Sequence, residues 1–81
     1  MEATFVVDQV RETWCAALGL ETATNEDNFF TLGGNSLSAI EFKERIEASL
    51  GIDFPIQVLF LNGDLGDIID ACVRLRTADG S

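Results

Sequence analysis

Apolar residues recur in this 81-residue chain at intervals of three and four, a spacing that places them on one face of a helix. No segment alternates apolar and polar residues as a half-buried strand does. The first helix is expected over residues 4–18, with Thr4 as its cap and Gly19 as its end. A chain of this length forms one domain around one small core, here residues 1–81. The sequence therefore predicts an all-α fold, a small four-helix bundle of three main helices and one short helix. The expected apolar face of the first helix is Val7, Val10, Trp14, Ala17 and Leu18.

A long loop is predicted between the first two helices, because Thr, Asn and Gly residues interrupt the helical spacing over residues 20–35. Phe29, Phe30 and Leu32 are expected to hold it against the core. The second helix is expected from Ser36 to about Leu50, with Gly51 as its stop. Its expected inward residues are Leu37, Ile40, Ile46 and Leu50, and its expected ion pairs are Glu41–Arg45 and Lys43–Glu47.

Residues 56–61 follow Pro55 and are expected to form one or two helical turns. The last helix is expected to begin at Asp64 as N-cap, with Arg74 and Arg76 complementing the dipole at its end. Residues 77–81 are expected to fray. The apolar face of the last helix is predicted to be Leu65, Ile68, Ile69, Cys72 and Leu75. Cys15 and Cys72 are expected to be buried free thiols. Trp14 and the phenylalanines are expected to belong to the core.

The charge balance restricts the classes of function. Five Lys and Arg residues against fourteen Asp and Glu residues give a net charge of -9, and there is no His. A chain without imidazole has no ordinary base for catalysis near neutral pH and no His-ligated metal site, so it is predicted not to be an enzyme and to hold no metal. The scarcity of cations argues against binding nucleic acid. The acidic balance instead favours a protein partner with a basic surface. Because no apolar run is long enough to span a membrane and no basic leader is present, a cytoplasmic location is predicted.

Ser36 stands out as a chemical site. Gly33 and Gly34 allow the backbone to turn tightly, so the hydroxyl is expected at the start of a helix with little bulk around it. A phosphate on that hydroxyl would meet free N–H groups and the positive end of the helix dipole, which favours a phosphodiester. The alternative is that Asn35 or Ser36 is only an N-cap after a glycine-rich turn.

Residues 27–37, DNFFTLGGNSL, closely resemble the attachment motif of the phosphopantetheine-binding carrier proteins. The version with two glycines is most similar to the peptidyl, or thiolation, carriers of nonribosomal peptide synthesis, and the predicted helix order resembles this family over nearly the whole chain. The resemblance implies that a separate magnesium-dependent phosphopantetheinyl transferase attaches 4′-phosphopantetheine from coenzyme A to Ser36. It also implies that the thiol of the arm holds an aminoacyl or acyl group as a thioester.

Partner contacts are expected close to this serine. Leu37 and Ile40 are candidates, although each fits core packing equally well. Asn35, directly before Ser36, is another candidate, and the family usually has His or Asp at this position. Glu41 and Glu44 are further candidates.

The second helix, with Glu47 as a third acidic residue, is more acidic than in many peptidyl carriers and in that respect resembles the acyl carriers of fatty-acid and polyketide synthesis. Such a face would steer the chain toward basic partners, and the alternative is an ordinary solvated helix face.

The resemblance implies a monomeric peptidyl carrier of secondary metabolism. Its expected partners are the transferase, an adenylating or acyl-loading enzyme, and downstream condensing or tailoring enzymes. Because the chain begins with Met1 and ends soon after the last helix, a free-standing carrier is expected, and the alternative is a domain excised from a longer protein. One alternative is an acyl carrier of polyketide or fatty-acid synthesis. The alternative from another class is an unmodified helical interaction module in which Ser36 is only a cap.

Overall fold

A computed structural model describes residues 2–61 and 63–80, and the side chains of residues 3–61 and 63–76. It contains four helices: α1 (Glu2–Leu18), α2 (Ser36–Leu50), α3 (Gln57–Leu61) and α4 (Leu65–Gly80). Over these residues the only β-type pairing is an isolated bridge between Asn28 and Asp64. The all-α prediction is confirmed, as is the long loop between α1 and α2. None of the helices described is long and apolar enough to cross a membrane.

Helix α1 begins earlier than predicted and turns a slightly different face to the core. It starts at Glu2, so Thr4 lies inside the helix and the prediction that it is the cap is wrong. Val7, Ala17 and Leu18 are only partly buried. A spacing of three and four is satisfied equally by a stripe that starts at Val6 or at Val7, and packing against α2 and α4 selects the first. The buried residues of α1 are Val6, Val10, Thr13 and Trp14.

Helix α2 has the predicted bounds, because both of its ends carry local signals. Gly51 lies in the left-handed region at φ 65°, and its N–H donates to the Glu47 carbonyl oxygen at 2.9 Å. The prediction that Leu37 and Ile40 face inward is wrong: they are 67% and 46% exposed. The buried stripe runs instead through Ala39, Phe42, Ile46 and Leu50.

Edge-to-face aromatic contacts join the elements at the centre of the bundle. The ring of Trp14 lies 5.4 Å from that of Phe29 and 6.0 Å from that of Phe42, and Phe42 lies 6.0 Å from Phe54. All four side chains are buried, so their predicted place in the core is confirmed. The same prediction is wrong for Phe5 and Phe60, which are exposed.

Four of the five residues predicted for the apolar face of α4 are buried, and Leu75 is partly buried. Burial raises the pKa of the Cys72 thiol to about 12, whereas Cys15 is only partly buried; both are free. The helix continues to Gly80, so neither Arg74 nor Arg76 lies in its last turn, and the prediction that they complement the dipole at its end is wrong. Ser81 lies outside the described residues, and the fraying of residues 77–81 stays a prediction.

The contacts of Arg76 show the relative directions of the helices. Its guanidinium donates to the carbonyl oxygen of Leu50 at the end of α2 and lies over the ring of Phe5 near the start of α1. This places the C-terminal parts of α2 and α4 beside the N-terminal part of α1. The long loop after α1 and the N-termini of α2 and α4 therefore share the opposite end of the bundle, where Ser36 lies.

Glu47 holds the connection between α2 and α3. Its Oε2 accepts hydrogen bonds from Lys43 Nζ at 2.6 Å and from the Phe54 N–H at 3.0 Å. The Lys43 pair predicted from the sequence is thus confirmed, whereas the predicted Glu41–Arg45 pair is absent from the ion pairs of the described residues. The hydrogen bond from Lys43, followed by that from Phe54, lowers the pKa of Glu47 below its ordinary 4.5.

Glu47→Gln is expected to lower the free energy of unfolding at pH 7 by about 1 kcal/mol, because the hydrogen bonds to Lys43 and Phe54 lose their charge. A lowered pKa in the folded state contributes stability above pH 4.5, and that contribution is lost as the pH falls below 4.5 through the folded-state pKa. Thermal unfolding at pH 7 and at pH 3 should show a gap from wild type that closes at the lower pH. Exposed Glu41→Gln is the control, and an equal effect there would contradict the assignment.

Candidate functional site

Ser36 is the first residue of α2, and the residue before it caps the helix. Asn35 has extended backbone angles, φ -137° and ψ -175°, and its side-chain Oδ1 accepts from the Ser38 N–H at 2.9 Å. The Asn35 carbonyl oxygen accepts from the Ala39 N–H at 2.9 Å. Ser36 is exposed, and its hydroxyl makes no hydrogen bond to the residues that the structure describes. Asn35 is therefore the cap, and the hydroxyl of Ser36 has no capping role.

The two glycines before Asn35 have different functions. Gly33 has φ 102°, in the region that favours glycine, and a Cβ there would meet open space. Gly34 has an ordinary φ, but a Cβ there would lie 2.4 Å from Cδ2 of Phe29 and 2.7 Å from its carbonyl oxygen. The backbone crosses directly over the Phe29 ring, so the turn requires one glycine for its φ and the other for its lack of a side chain.

The polar residues of the DNFF segment attach this loop to the start of α4. Asn28 Oδ1 accepts from the N–H groups of Phe30 and Thr31, both at 3.1 Å, and its Nδ2 donates to Asp64 Oδ1 at 3.0 Å. The Asp27 carbonyl oxygen accepts from the Leu65 N–H at 2.8 Å. Asp64 thus lies at the predicted start of α4, and its carboxylate binds the loop.

Phe29 is fully buried, as predicted, and Phe30 is partly buried. Leu32 is 37% exposed, so the prediction that it holds the loop against the core is wrong. Phe30 instead stacks on Phe60 of α3, with ring centroids 5.5 Å apart and an interplanar angle of 18°. The loop that carries Ser36 therefore contacts α3 through these two rings.

Exposed apolar side chains lie on both α2 and α3. Leu37 and Ile40 follow Ser36 on α2, while Phe60 and Leu61 of α3 are 52% and 81% exposed. The α3 residues were missed at the sequence level. The available signal was the run of four consecutive apolar residues, 58–61. A short helix buries only one face, so some of these side chains had to be exposed to solvent.

Glu41 and Glu44 are exposed on α2. Glu47, which was grouped with them in the sequence, is partly buried and bonded to Lys43 and Phe54. The accessible acidic surface of α2 is therefore narrower than predicted.

The family model described as the phosphopantetheine attachment site matches residues 8–72. The chain belongs to this family. Its members carry 4′-phosphopantetheine covalently. The match contains the whole of the loop, α2 and α3, and it ends within α4.

Relatives support the family and give the context of their own chains. Surfactin synthase subunit 3 of Bacillus subtilis is 40% identical over 53 residues, which are 65% of this chain and 4% of that protein. Phosphinothricin tripeptide synthetase PhsC of Streptomyces viridochromogenes is 33% identical over 63 residues, which are 78% of this chain and 6% of that protein. The chain thus spans only a few per cent of the length of these relatives.

A solved structure shares the fold. BlmI, described as a type-II acyl-carrier-protein from Streptomyces verticillus involved in bleomycin biosynthesis, superposes with a TM-score of 0.80. The match covers 98% of this chain and 90% of BlmI at 23% identity. The similarity confirms the four-helix architecture.

The residues around Ser36 fit a covalently attached phosphopantetheine. The hydroxyl is exposed, and open space surrounds the Cβ direction of Gly33 nearby in the chain. Asn35 accepts hydrogen bonds from the N–H groups of Ser38 and Ala39. The N–H groups of Ser36 and Leu37, in the first turn, have no acceptor within the helix. An anion on the serine is thus compatible with the local charges and dipoles.

Proposed function

We propose that Ser36 carries 4′-phosphopantetheine through a phosphodiester, and that the chain acts as a peptidyl carrier in nonribosomal peptide synthesis. The observation that carries the proposal is the exposed hydroxyl of Ser36 at the N-terminus of α2, which forms no hydrogen bond with the described residues because Asn35 provides the cap. The family match over residues 8–72 supports the same cofactor.

The attachment step needs only a hydroxyl from this chain. Ser36 Oγ bonds to the phosphorus that bears the pantetheine in coenzyme A, the pyrophosphate P–O bond breaks, and adenosine 3′,5′-bisphosphate leaves. The hydroxyl proton passes to a base of the transferase, since this chain has no His. Bound to Ser36, the cofactor supplies a thiol that holds an aminoacyl or acyl group as a thioester.

The chain itself presents and positions that arm. Asn35 fixes the first turn of α2, and the loop ahead of it is held by the Asn28 hydrogen bonds and by Phe29 under Gly34. Tethering raises the effective concentration of the cargo at each partner enzyme. No catalytic group of the chain enters this function.

The synthetases named among the relatives support the pathway. The proposed partners are a phosphopantetheinyl transferase, an adenylating or acyl-loading enzyme, and condensing or tailoring enzymes. Exposed Leu37, Ile40, Glu41 and Glu44 are the proposed partner contacts. Asn35 is a weaker contact candidate because its side chain is used in the cap. A monomeric state and a cytoplasmic location remain predictions.

The intact mass of the chain is the test of the proposal. Incubation with coenzyme A, Mg²⁺ and a broad-specificity transferase should add one phosphopantetheine to the wild type and none to Ser36→Ala. Ser38→Ala is the matched control, because this serine lies two residues further along the same helix, and it should be modified like wild type. A folded wild-type chain that gains no mass would contradict the proposal and favour the unmodified interaction module.

Loading then separates the two carrier types. An amino acid transferred by an adenylating enzyme to the modified chain would support the peptidyl type. Acceptance only of acyl groups from an acyltransferase would instead identify the acyl carrier of polyketide or fatty-acid synthesis, which the exposed Glu41 and Glu44 favour.

A further inference from the structure

The side-chain amide of Asn28 has a different kind of partner on each side. Its Oδ1 lies 3.1 Å from the backbone nitrogens of both Phe30 and Thr31, which can only donate. Its Nδ2 lies 3.0 Å from Oδ1 of Asp64, and an ionised carboxylate can only accept. A side chain at position 28 must therefore accept on one side and donate on the other, which an amide does and a carboxylate does not.

The accepting side of the amide closes the turn that leads to Ser36. Further hydrogen bonds continue this turn: the Leu32 N–H donates to the Asn28 carbonyl oxygen at 3.1 Å. The Gly34 N–H then donates to the Phe29 carbonyl oxygen at 3.0 Å. Only one residue separates Gly34 from Ser36. The position of the serine thus depends on a turn whose first residue is Asn28.

The donating side of the amide is held by the connection between α3 and α4. The Phe29 N–H donates to the Gly63 carbonyl oxygen at 2.8 Å, and an isolated bridge pairs Asn28 with Asp64. Gly63 is buried with φ 74°, and a Cβ there would lie 3.1 Å from Asn28 Nδ2. The amide therefore packs directly on this backbone, beside the carboxylate that accepts from it.

We infer that Asp64 is a positioning residue for Ser36: it fixes the direction of the Asn28 amide, whose oxygen then closes the turn that presents the serine. Asp64 acts through a side chain 36 positions earlier in the chain. The inference rests on the proposed function, in which Ser36 is the attachment site. The alternative role of Asp64, to complement the start of α4 with an acidic side chain, makes no demand on the residue at position 28.

The decisive test exchanges the two side chains. Asn28→Asp sets two carboxylates against each other and should lower kcat/KM for modification by a phosphopantetheinyl transferase by about 5- to 20-fold. In Asn28→Asp with Asp64→Asn, the new amide donates to one oxygen at position 28, and the other oxygen accepts from the loop. This double variant should recover to within about threefold of wild type. Rates are measured well below the melting temperature of every variant.

Single variants of α4 separate the hydrogen bond from the charge. Asp64→Asn keeps an acceptor and a good capping residue, so it should stay within about twofold of wild type. Asp64→Ala removes the acceptor and should be slower by about three- to tenfold. Asp67→Asn is the matched control, because Asp67 is an exposed acidic residue in the first turn of the same helix. A loss in this control equal to that of Asp64→Ala would contradict the inference.

A second readout needs no modification. In the unmodified chain, the amide protons of Phe30 and Thr31 should exchange about tenfold faster in Asn28→Asp and return to the wild-type rate in the double variant. The amide of Ile46, in the buried stripe of α2, serves as the reference for global unfolding. The ratio of the loop rates to this reference isolates the turn from a general loss of stability.

The outcomes distinguish this inference from the proposed function. A double variant that is modified no faster than Asn28→Asp, or whose Phe30 and Thr31 amides do not recover, would overturn the role of Asp64 while Ser36 remained the attachment site. A wild-type chain that accepts no phosphopantetheine would overturn the proposed function, whatever the exchange rates show about Asn28 and Asp64.

Discussion

Gly34→Ala is expected to lower the free energy of unfolding by about 2 to 4 kcal/mol, because a Cβ at this position would lie 2.4 Å and 2.5 Å from two ring carbons of Phe29. The ring cannot move aside easily, because it is buried against Trp14 and Phe42. The third atom close to the Cβ, at 2.7 Å, is the carbonyl oxygen of Phe29 and belongs to the backbone. The backbone before Asn35 must therefore move. Urea denaturation of the unmodified chain measures the loss, and the mass assay measures how much Ser36 modification remains.

The neighbouring glycine is the matched control. Gly33→Ala meets open space but holds a side chain at φ 102°, so its cost is backbone strain of about 1 to 2 kcal/mol. In both variants the hydroxyl of Ser36 is chemically unchanged. A Gly34→Ala variant as stable as wild type would contradict the close approach of the loop to Phe29.

The helices were predictable where the signals lie in the local sequence. Helix α2 has the predicted bounds because Asn35 is a good capping residue and Gly51 accepts a positive φ at no steric cost. Its buried face was less predictable, since Leu37 and Ile40 are only one step around the helix from the stripe that contains Phe42 and Ile46. Which of two adjacent apolar stripes becomes buried depends on the neighbouring helices, and their positions are not contained in the spacing.

The long-range contacts of charged residues were also beyond the sequence. Glu47 has a suitable partner four residues earlier, but its bond to the Phe54 N–H depends on the path of the chain after Gly51. Arg76 similarly donates to α2 instead of complementing the end of its own helix.

The position of the candidate serine was predictable from its motif, whereas the reasons for the motif required coordinates. The glycines before Ser36 and its place at a helix start indicated a chemical site or a plain cap, and the resemblance of residues 27–37 to the family pattern decided between the two. The structure explains the surrounding residues: Asn28 closes the turn after it and reaches Asp64, and Gly34 clears the Phe29 ring. These contacts join residues up to 36 positions apart, which no local pattern encodes.

Phe29→Ala is expected to lower the free energy of unfolding by about 3 to 5 kcal/mol, the largest effect among the substitutions considered. The side chain is fully buried, and its ring lies 5.4 Å from Trp14 and 6.0 Å from Phe42, so truncation leaves a cavity between α1, α2 and the loop. A domain of this size has a total stability of about 4 to 12 kcal/mol, so a large part of it would be lost. Urea denaturation measures the change.

Phe30→Ala is the control, because this ring is only partly buried and stacks on the exposed Phe60; we expect a loss of about 1 kcal/mol.

A double-mutant cycle of Phe29→Ala and Gly34→Ala then tests the contact beneath the serine loop. If Phe29 is the obstacle to a side chain at position 34, Gly34→Ala should cost less in the Phe29→Ala background than in wild type, because the ring carbons that the new methyl group meets are gone. Equal costs in the two backgrounds would show that the Phe29 ring does not require glycine at position 34.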